Sequence, residues 1–130
     1  MLRAQGGSEG GCFRRDIAIC RETGDRHGEG QTLGNLGIVY GKLQRFDEAI
    51  ACYQDALAIL RETGDRHREG QTLGNLGTAY QELRQYDQAA ICWRDAAAAM
   101  RDAGDHEQAA LLEQLAANAR PPWRRLRRKG

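Results

Sequence analysis

The chain has 130 residues, 19 basic and 18 acidic side chains and a net charge of +1, so its overall charge indicates no polyanionic partner. That length suits one domain and is too short for two domains with separate cores. No apolar run approaches the roughly 18 residues of a membrane span, and the first residues lack the apolar stretch of a secretory signal. We therefore expect a cytoplasmic protein.

The charge is unevenly distributed along the chain. Residues 119–130 hold six basic and no acidic side chains, whereas residues 1–118 hold 13 basic and 18 acidic ones. From this and from the glycine-rich start we predict three segments. Residues 1–10 are expected to be disordered, residues 11–118 to form a helical domain, and residues 119–130 to form a disordered basic tail.

An internal repeat with an offset of 40 residues dominates the sequence. Residues 21–37 and 61–77 agree at 16 of 17 positions, and only Gly28 differs, becoming Arg68. Partial copies begin at Cys12 and after Gly104, the latter with one residue deleted. The chain therefore consists of half a repeat, two full repeats and a final half repeat, which predicts an all-α stack of helical hairpins.

In chain order, the first predicted helix runs from about Gly11 to Glu22 and lacks a hairpin partner, so Phe13, Ile17 and Cys20 should be partly uncovered. The next helix carries apolar and small residues at spacings of three and four, which place them on one face: Leu33, Leu36, Gly37 and Tyr40. We expect the first helix, with its uncovered apolar residues, to pack against a second copy, or the chain to belong to a longer array.

A break follows at Gln44-Arg45, where Asp47 is the predicted start of the second helix of the hairpin. Gly64 and Asp65 then predict a left-handed helix end and the cap of the next helix. The second repeat has the same pattern. The final helix is predicted at Glu107–Asn118, with four apolar residues that cap the stack: Ala109, Leu111, Leu112 and Leu115.

Glycines on the packed face predict close contact between helices. Gly37 and Gly77 each cost about 1 kcal/mol of helix propensity relative to alanine, so close packing must compensate. Gly34 and Gly74 lie off that face, where we expect them to leave room for a ligand backbone.

The repeated positions resemble the signature of the tetratricopeptide repeat family, which is a large residue, then Leu-Gly, Tyr, Ala and an aromatic at fixed spacing. They are Leu33, Leu36, Gly37, Tyr40, Ala49, Tyr53 and Ala56, then Leu73, Leu76, Gly77, Tyr80, Ala89, Trp93 and Ala96. The usual first Trp is Leu here, and the period is 40 residues rather than the usual 34. This longer unit is similar to the Leu-Gly-Asn repeats of cell-polarity scaffolds and of actinomycete signalling ATPases and regulators.

The resemblance implies a right-handed superhelical solenoid of antiparallel helix hairpins that binds proteins and is not an enzyme. In such a solenoid the first helices line a concave groove. Opposite their core positions lies a mostly polar stripe: Gln31, Asn35, Ile38 and Lys42, then Gln71, Asn75, Thr78 and Glu82, continued by Gln114 if the deleted residue is counted.

A carboxamide both donates and accepts hydrogen bonds, so the stripe suits the backbone of an extended peptide of any sequence. The resemblance supports this, because the family's asparagine matching Asn35 and Asn75 commonly contacts bound peptide. The family's carboxylate clamp needs Lys and Asn where this chain has Gly34 and Ile38, so we do not predict binding of chaperone C-termini. The alternative is that near-identical repeats simply copy solvated amides.

Arg26, Arg66 and Arg68 lie near the starts of first helices, where they are candidates to recognise acidic side chains of the partner. The alternative is pairing with acidic residues nearby in sequence: Asp25, Glu29, Asp65 and Glu69.

Other site chemistries find little support in the sequence. The repeat-equivalent histidines lie in layers roughly 8–10 Å apart, too far apart to share a metal at bonds of about 2 Å: His27, His67 and His106. The same spacing argues against disulfides between the repeat-equivalent cysteines, so we expect free thiols. We predict no cofactor, no small-molecule substrate and no catalysis.

The basic tail leaves two further functions open. Trp123 and Leu126 are interleaved with arginines, a pattern that suits nucleic-acid phosphates or an anionic membrane. A solvated, disordered tail is the alternative, as is self-association of the repeats by end-to-end stacking.

Overall fold

The computed structural model describes residues 2–119, with side chains described from Phe13 onward. Within that range the chain forms six helices and no strand, as predicted. The helices are α1 Leu2–Thr23, α2 Arg26–Lys42, α3 Phe46–Thr63, α4 Arg66–Glu82, α5 Tyr86–Asp102 and α6 His106–Ala117. They divide into two units, Met1–Gly64 with α1–α3 and Asp65–Gly130 with α4–α6.

In the first unit α1 and α3 both pack against α2. The core consists of apolar side chains from these three helices: Ile17, Leu33, Leu36, Ala56, Ile59 and Leu60, with Phe13, Tyr40 and Cys52 packed against them. Ile17 is buried, whereas Phe13 and Cys20 are half-buried. In the second unit α5 packs against both α4 and α6.

Each connection between hairpins follows the predicted glycine–aspartate pattern. Gly24, Gly64 and Gly104 have φ values of 77°, 76° and 87°, the left-handed region that glycine occupies without a steric penalty. The aspartate that follows each glycine caps the next helix, as Asp25 does by accepting a hydrogen bond from the backbone N–H of Gly28 at 2.9 Å. The dipeptide therefore ends one helix and begins the next.

The turn inside each hairpin is built differently from the prediction. α3 begins at Phe46 behind Arg45, whose side chain makes no capping hydrogen bond, and Asp47 lies in the first helical turn. Gln44 adopts a left-handed φ of 60°, and the Arg45 N–H donates to the Tyr40 carbonyl at 2.9 Å. The backbone closes this turn without an aspartate cap.

The two ends of the chain also differ from expectation. α1 begins at Leu2 rather than near Gly11, so the backbone of residues 2–10 is helical. On α6, Ala109 and Leu112 are buried, but Leu111 and Leu115 are exposed. The predicted basic tail lies outside the described residues apart from Ala119. Among the described residues, no helix is both long and apolar enough to cross a membrane.

Candidate functional site

The polar stripe lies on the solvent side of the first helix in each unit. In α2, Asn35, Ile38 and Lys42 are exposed and Gln31 is half-buried. In α4 all four members are exposed, namely Gln71, Asn75, Thr78 and Glu82. Each stripe is thus opposite the buried face of its own helix.

The two asparagines stand out within the stripes. Among the residues that the structure describes, neither the Asn35 nor the Asn75 carboxamide has a hydrogen-bond partner. Thr78, by contrast, donates its hydroxyl to the Gly74 carbonyl of its own helix at 3.2 Å. The asparagines therefore present a free donor and a free acceptor at the same position of each unit.

A buried carboxylate organises the N-terminal end of α2. The Glu29 side chain is only 3% exposed, and it accepts from Arg21 Nε at 2.7 Å and from an Arg26 NH group at 2.9 Å. Arg26 also pairs with Glu62 at 2.7 Å, a hydrogen bond that raises the pKa of Arg26. The network joins the ends of α1 and α3 to the start of α2.

The second unit repeats this arrangement. Arg66 pairs with Glu69, whose side chain is 5% exposed, at 3.0 Å, and with Asp102 at 2.6 Å. The hydrogen bond to Asp102 raises the pKa of Arg66. Arg68 lies 3.5 Å from Asp65. The three arginines that the sequence offered as selectors are therefore engaged in ion pairs within their own unit, as the alternative interpretation expected for Glu29, Asp65 and Glu69.

The packed-face glycines make the close contacts that the sequence predicted. A Cβ atom at Gly37 would lie 2.5 Å from Tyr53 Cε1, and one at Gly77 would lie 2.6 Å from Trp93 Nε1. The off-face Gly74 makes contacts within its own unit. Its carbonyl accepts from Trp93 Nε1 at 3.0 Å, and a Cβ there would meet Leu112 at 3.5 Å.

The phase of α6 is set by its cap rather than by its leucines. Asp105 accepts from the N–H of Gln108 at 3.1 Å just as Asp65 accepts from that of Arg68 at 3.1 Å. Counted from these caps, α6 follows α4 at the full offset of 40 with no residue deleted. This count differs from the one-residue deletion assumed from the sequence.

Burial is compatible with this phase. Three residues of α6 are buried at positions equivalent to the buried Glu69, Thr72 and Leu76: Ala109, Leu112 and Ala116. The α4 residues one position further on, such as Gly77, instead face the following helix α5. At this offset the exposed Gln114 corresponds to Gly74, and Leu111 and Leu115 correspond to Gln71 and Asn75.

The described cysteines Cys20, Cys52 and Cys92 form no disulfide. Burial raises the pKa of the Cys52 thiol, which keeps it protonated and weakly nucleophilic near neutral pH. Within residues 2–119 no three His, Cys, Asp or Glu side chains are grouped so that they could hold a metal ion.

Comparison with known proteins defines the fold. The crystal structure of BtubC (BKLC) from P. vanneervenii is similar over 82% of this chain, with a TM-score of 0.59 and 18% identity. The chain spans about half of that protein, 53% of its length, and at this identity the likeness concerns the fold alone. No curated protein matches the sequence significantly.

The family model for the tetratricopeptide repeat matches residues 12–62 and 28–92, which together are more than half of the chain. Its repeats are helical hairpins of the kind seen in α2–α3 and α4–α5, and the family typically mediates protein–protein interaction without catalysis. The chain therefore belongs to the tetratricopeptide repeat family.

Proposed function

We propose that this protein is a non-catalytic interaction module of the cytoplasm that binds an extended peptide segment of a partner along the polar stripes. The observation that supports it is the pair Asn35 and Asn75, exposed and without partners at the same position of both units. A peptide backbone that covers these carboxamides is itself removed from water, and buried polar groups normally need hydrogen bonds. The asparagines would provide those bonds to the N–H and C=O groups of the peptide.

Arg26 and Arg66 stabilise the hairpins and do not select the partner. Arg26 and Arg66 each bridge two carboxylates, so recruiting them to an acidic ligand would require breaking pairs that hold the hairpin. The stripes therefore recognise the partner peptide. In the second unit these combine the amides of Gln71 and Asn75 with the exposed Leu111 and Leu115 of α6.

Peptides selected from a random display library against the full chain provide the test. Their dissociation constants are measured on the native protein and on the Asn35→Ala/Asn75→Ala variant. Two hydrogen bonds of about 0.5–1.5 kcal/mol each predict a loss of affinity of roughly 5- to 150-fold. The matched control, Gln54→Ala/Gln88→Ala, removes two exposed amides from the second helices and should bind normally. Unchanged affinity in the asparagine variant would overturn the proposal.

End-to-end self-association is less favoured by acidic residues on α1 and on α6. Counted at the offset of 40, Asp16 of α1 stands where α3 has the buried Ala56, and Glu113 of α6 stands where α4 has the buried Leu73. Both acidic residues are exposed, and Glu113 pairs with Arg101. Stacking another helix over either face would bury a carboxylate, which is costly without a partner charge.

A further inference from the structure

Helix α6 exposes an apolar pair that nothing in the described part of the chain covers. Leu111 and Leu115 are 54% and 47% exposed, and their spacing of four residues places them on one face of the helix. Glu107 lies on the same face one turn earlier and is also exposed. The face is therefore apolar in its C-terminal part and acidic at its start.

The residues that follow α6 have the complementary composition. Residues 65–119 hold nine acidic and five basic side chains, a net charge of −4 without the histidines, whereas residues 120–130 hold six basic and no acidic ones. The same segment contains two large apolar residues, Trp123 and Leu126. It thus carries both the apolar and the basic groups that the α6 face would attract.

The distance along the chain is suitable as well. Ala119 is buried at 8% exposure and donates its N–H to the Ala116 carbonyl at 3.3 Å, so the chain leaves from the C-terminal end of α6. Leu111 lies about 12 Å back along the helix, at 1.5 Å per residue. Trp123 follows Ala119 by four residues in sequence, and four residues can span up to about 13 Å when extended, enough to cover that distance.

We propose that residues 120–130 fold back over α6, with Trp123 against Leu111 and Leu115 and the arginines beside Glu107. The connection to α6 gives the segment a high effective concentration, of millimolar order for a short flexible linker, so a weak contact is enough to populate the docked state. Its regulatory consequence rests on the proposed function: the docked segment covers Leu111 and Leu115, at the α6 positions equivalent to Gln71 and Asn75, and competes with a partner peptide there.

Fluorescence of Trp123 in the full chain tests the docking without any partner. The signal is isolated by subtracting the spectrum of the Trp123→Phe variant, which retains Trp93, a residue 2% exposed. We expect emission shifted to the blue and acrylamide quenching weaker than for a synthetic peptide of residues 120–130. In the Leu111→Ser/Leu115→Ser variant, quenching should rise to the value of that peptide.

The control is Ile91→Ser, which removes an exposed apolar residue (53% exposed) from α5 and should leave the Trp123 signal unchanged. Quenching of the native chain equal to that of the peptide, or quenching unaffected by the two leucine changes, would overturn the proposal. So would protection that grows with protein concentration, since a second copy would then be the occupant. The Asn35→Ala/Asn75→Ala variant should keep Trp123 protected, so this test and that of the proposed function fail independently.

Discussion

The hairpins α2–α3 and α4–α5 allow a comparison within one chain, because nearly identical first helices meet different second helices. Tyr53 in α3 is replaced by Trp93 in α5, yet each ring lies against the glycine at the same position, Gly37 or Gly77. The ring can change as long as the glycine stays. The constant element of the hairpin is therefore the absence of a side chain on the first helix.

A second pair of glycines shows how the second helices adjust. A Cβ at Gly30 would meet Ile59 at 3.0 Å, whereas one at Gly70 would meet Met100 at 3.1 Å and the Ala96 carbonyl at 3.2 Å. Ile59 corresponds to Ala99 at the offset of 40. Where the branched side chain is missing, the flexible side chain of Met100 fills the gap. The backbone carbonyl of Ala96 in α5 also lies close to this position.

The ion pairs also recur in both units. Arg26 reaches Glu62 at 2.7 Å and Arg66 reaches the shorter Asp102 at 2.6 Å. In both units the glutamate three residues after the arginine is buried, namely Glu29 and Glu69. Both hairpins thus share the glycine contacts and the buried carboxylates, while the side chains of the second helices that pack against them differ.

The largest expected effect comes from removing the buried charge. Breaking a buried ion pair costs about 3–5 kcal/mol. The arginine partners here are roughly half-exposed, so we expect Glu29→Gln and Glu69→Gln each to lower the free energy of unfolding by about 2 kcal/mol. Urea unfolding followed by circular dichroism measures this loss.

Amide hydrogen exchange locates that loss, which should appear first in the unit that carries the change. Glu48→Gln is the matched control, because Glu48 pairs with Arg45 at the surface. That change should cost less than about 0.5 kcal/mol. Equal losses in the buried and surface variants would show that burial of the carboxylate does not matter.

High pH should separate the two hairpins. Burial raises the pKa of Tyr53 to about 12, from about 10 in an unfolded chain. Between these values the unfolded chain has lost the phenol proton and the folded one retains it, so stability falls as pH rises, by up to about 1.4 kcal/mol per pH unit. Tyr53→Phe should reduce this slope in urea unfolding between about pH 9 and 11. The same slope in the variant would contradict the burial effect.

Alanine at the packed glycines tests the constant contact. Overpacking costs about 1–3 kcal/mol, and the gain in helix propensity returns about 1 kcal/mol. We expect Gly77→Ala to be the more destabilising, because Trp93 is held by its hydrogen bond to the Gly74 carbonyl at 3.0 Å, whereas Tyr53 has more freedom to shift.

Thermal unfolding of both alanine variants gives that order. Gly41→Ala is the control, since its Cβ would meet only the Tyr53 hydroxyl, at 3.9 Å, and this change should stabilise the protein. Destabilisation of Gly41→Ala as large as that of Gly77→Ala would mean that the ring contact is not the cause.

The smallest effect concerns the one difference between the repeated 17-residue segments. Gly28→Arg places the residue of the second unit into the first, where Asp25 must move aside because a Cβ would lie 2.3 Å from its Oδ2. Asp65 caps α4 beside Arg68 at 3.1 Å, so the move is possible. Higher helix propensity should yield a stabilisation of about 0.5 kcal/mol, measured as a rise in Tm. A fall in Tm would show that the two caps are not equivalent.

Much of the fold could be read from spacing alone. The glycine–aspartate pairs at 64–65 and 104–105 mark helix ends because their conformational preferences are local. Gly37 and Gly77 could be assigned to the packed face because the helical period places them with Leu33 and Leu36. The stripe of Asn35 and Asn75 followed from the same period, and its role in binding stays a prediction.

Other features escaped this reading. Glu29 and Glu69 look like surface residues, and their burial is tolerable because arginines pair with them: Arg26 and Arg66 from one turn earlier on the same helix, and Arg21 from α1 in the case of Glu29. The break at Gln44-Arg45 was predicted, but the left-handed backbone of Gln44 was not, because a residue other than glycine adopts it. The apolar character of Leu111 and Leu115 suggested a core position, but in the helix that starts at the Asp105 cap both lie on the exposed face.

The sequence by itself determined what depends on residues close along the chain, namely helix ends, helix faces and the repeat. Tertiary structure decided what depends on neighbours distant along the chain. Arg26 pairs with Glu62, 36 residues away, and this contact helps commit an arginine offered as a ligand selector to holding the hairpin. Whether a charged side chain is free to bind depends on which helices bring counter-charges to it, and that information is carried by packing rather than by period.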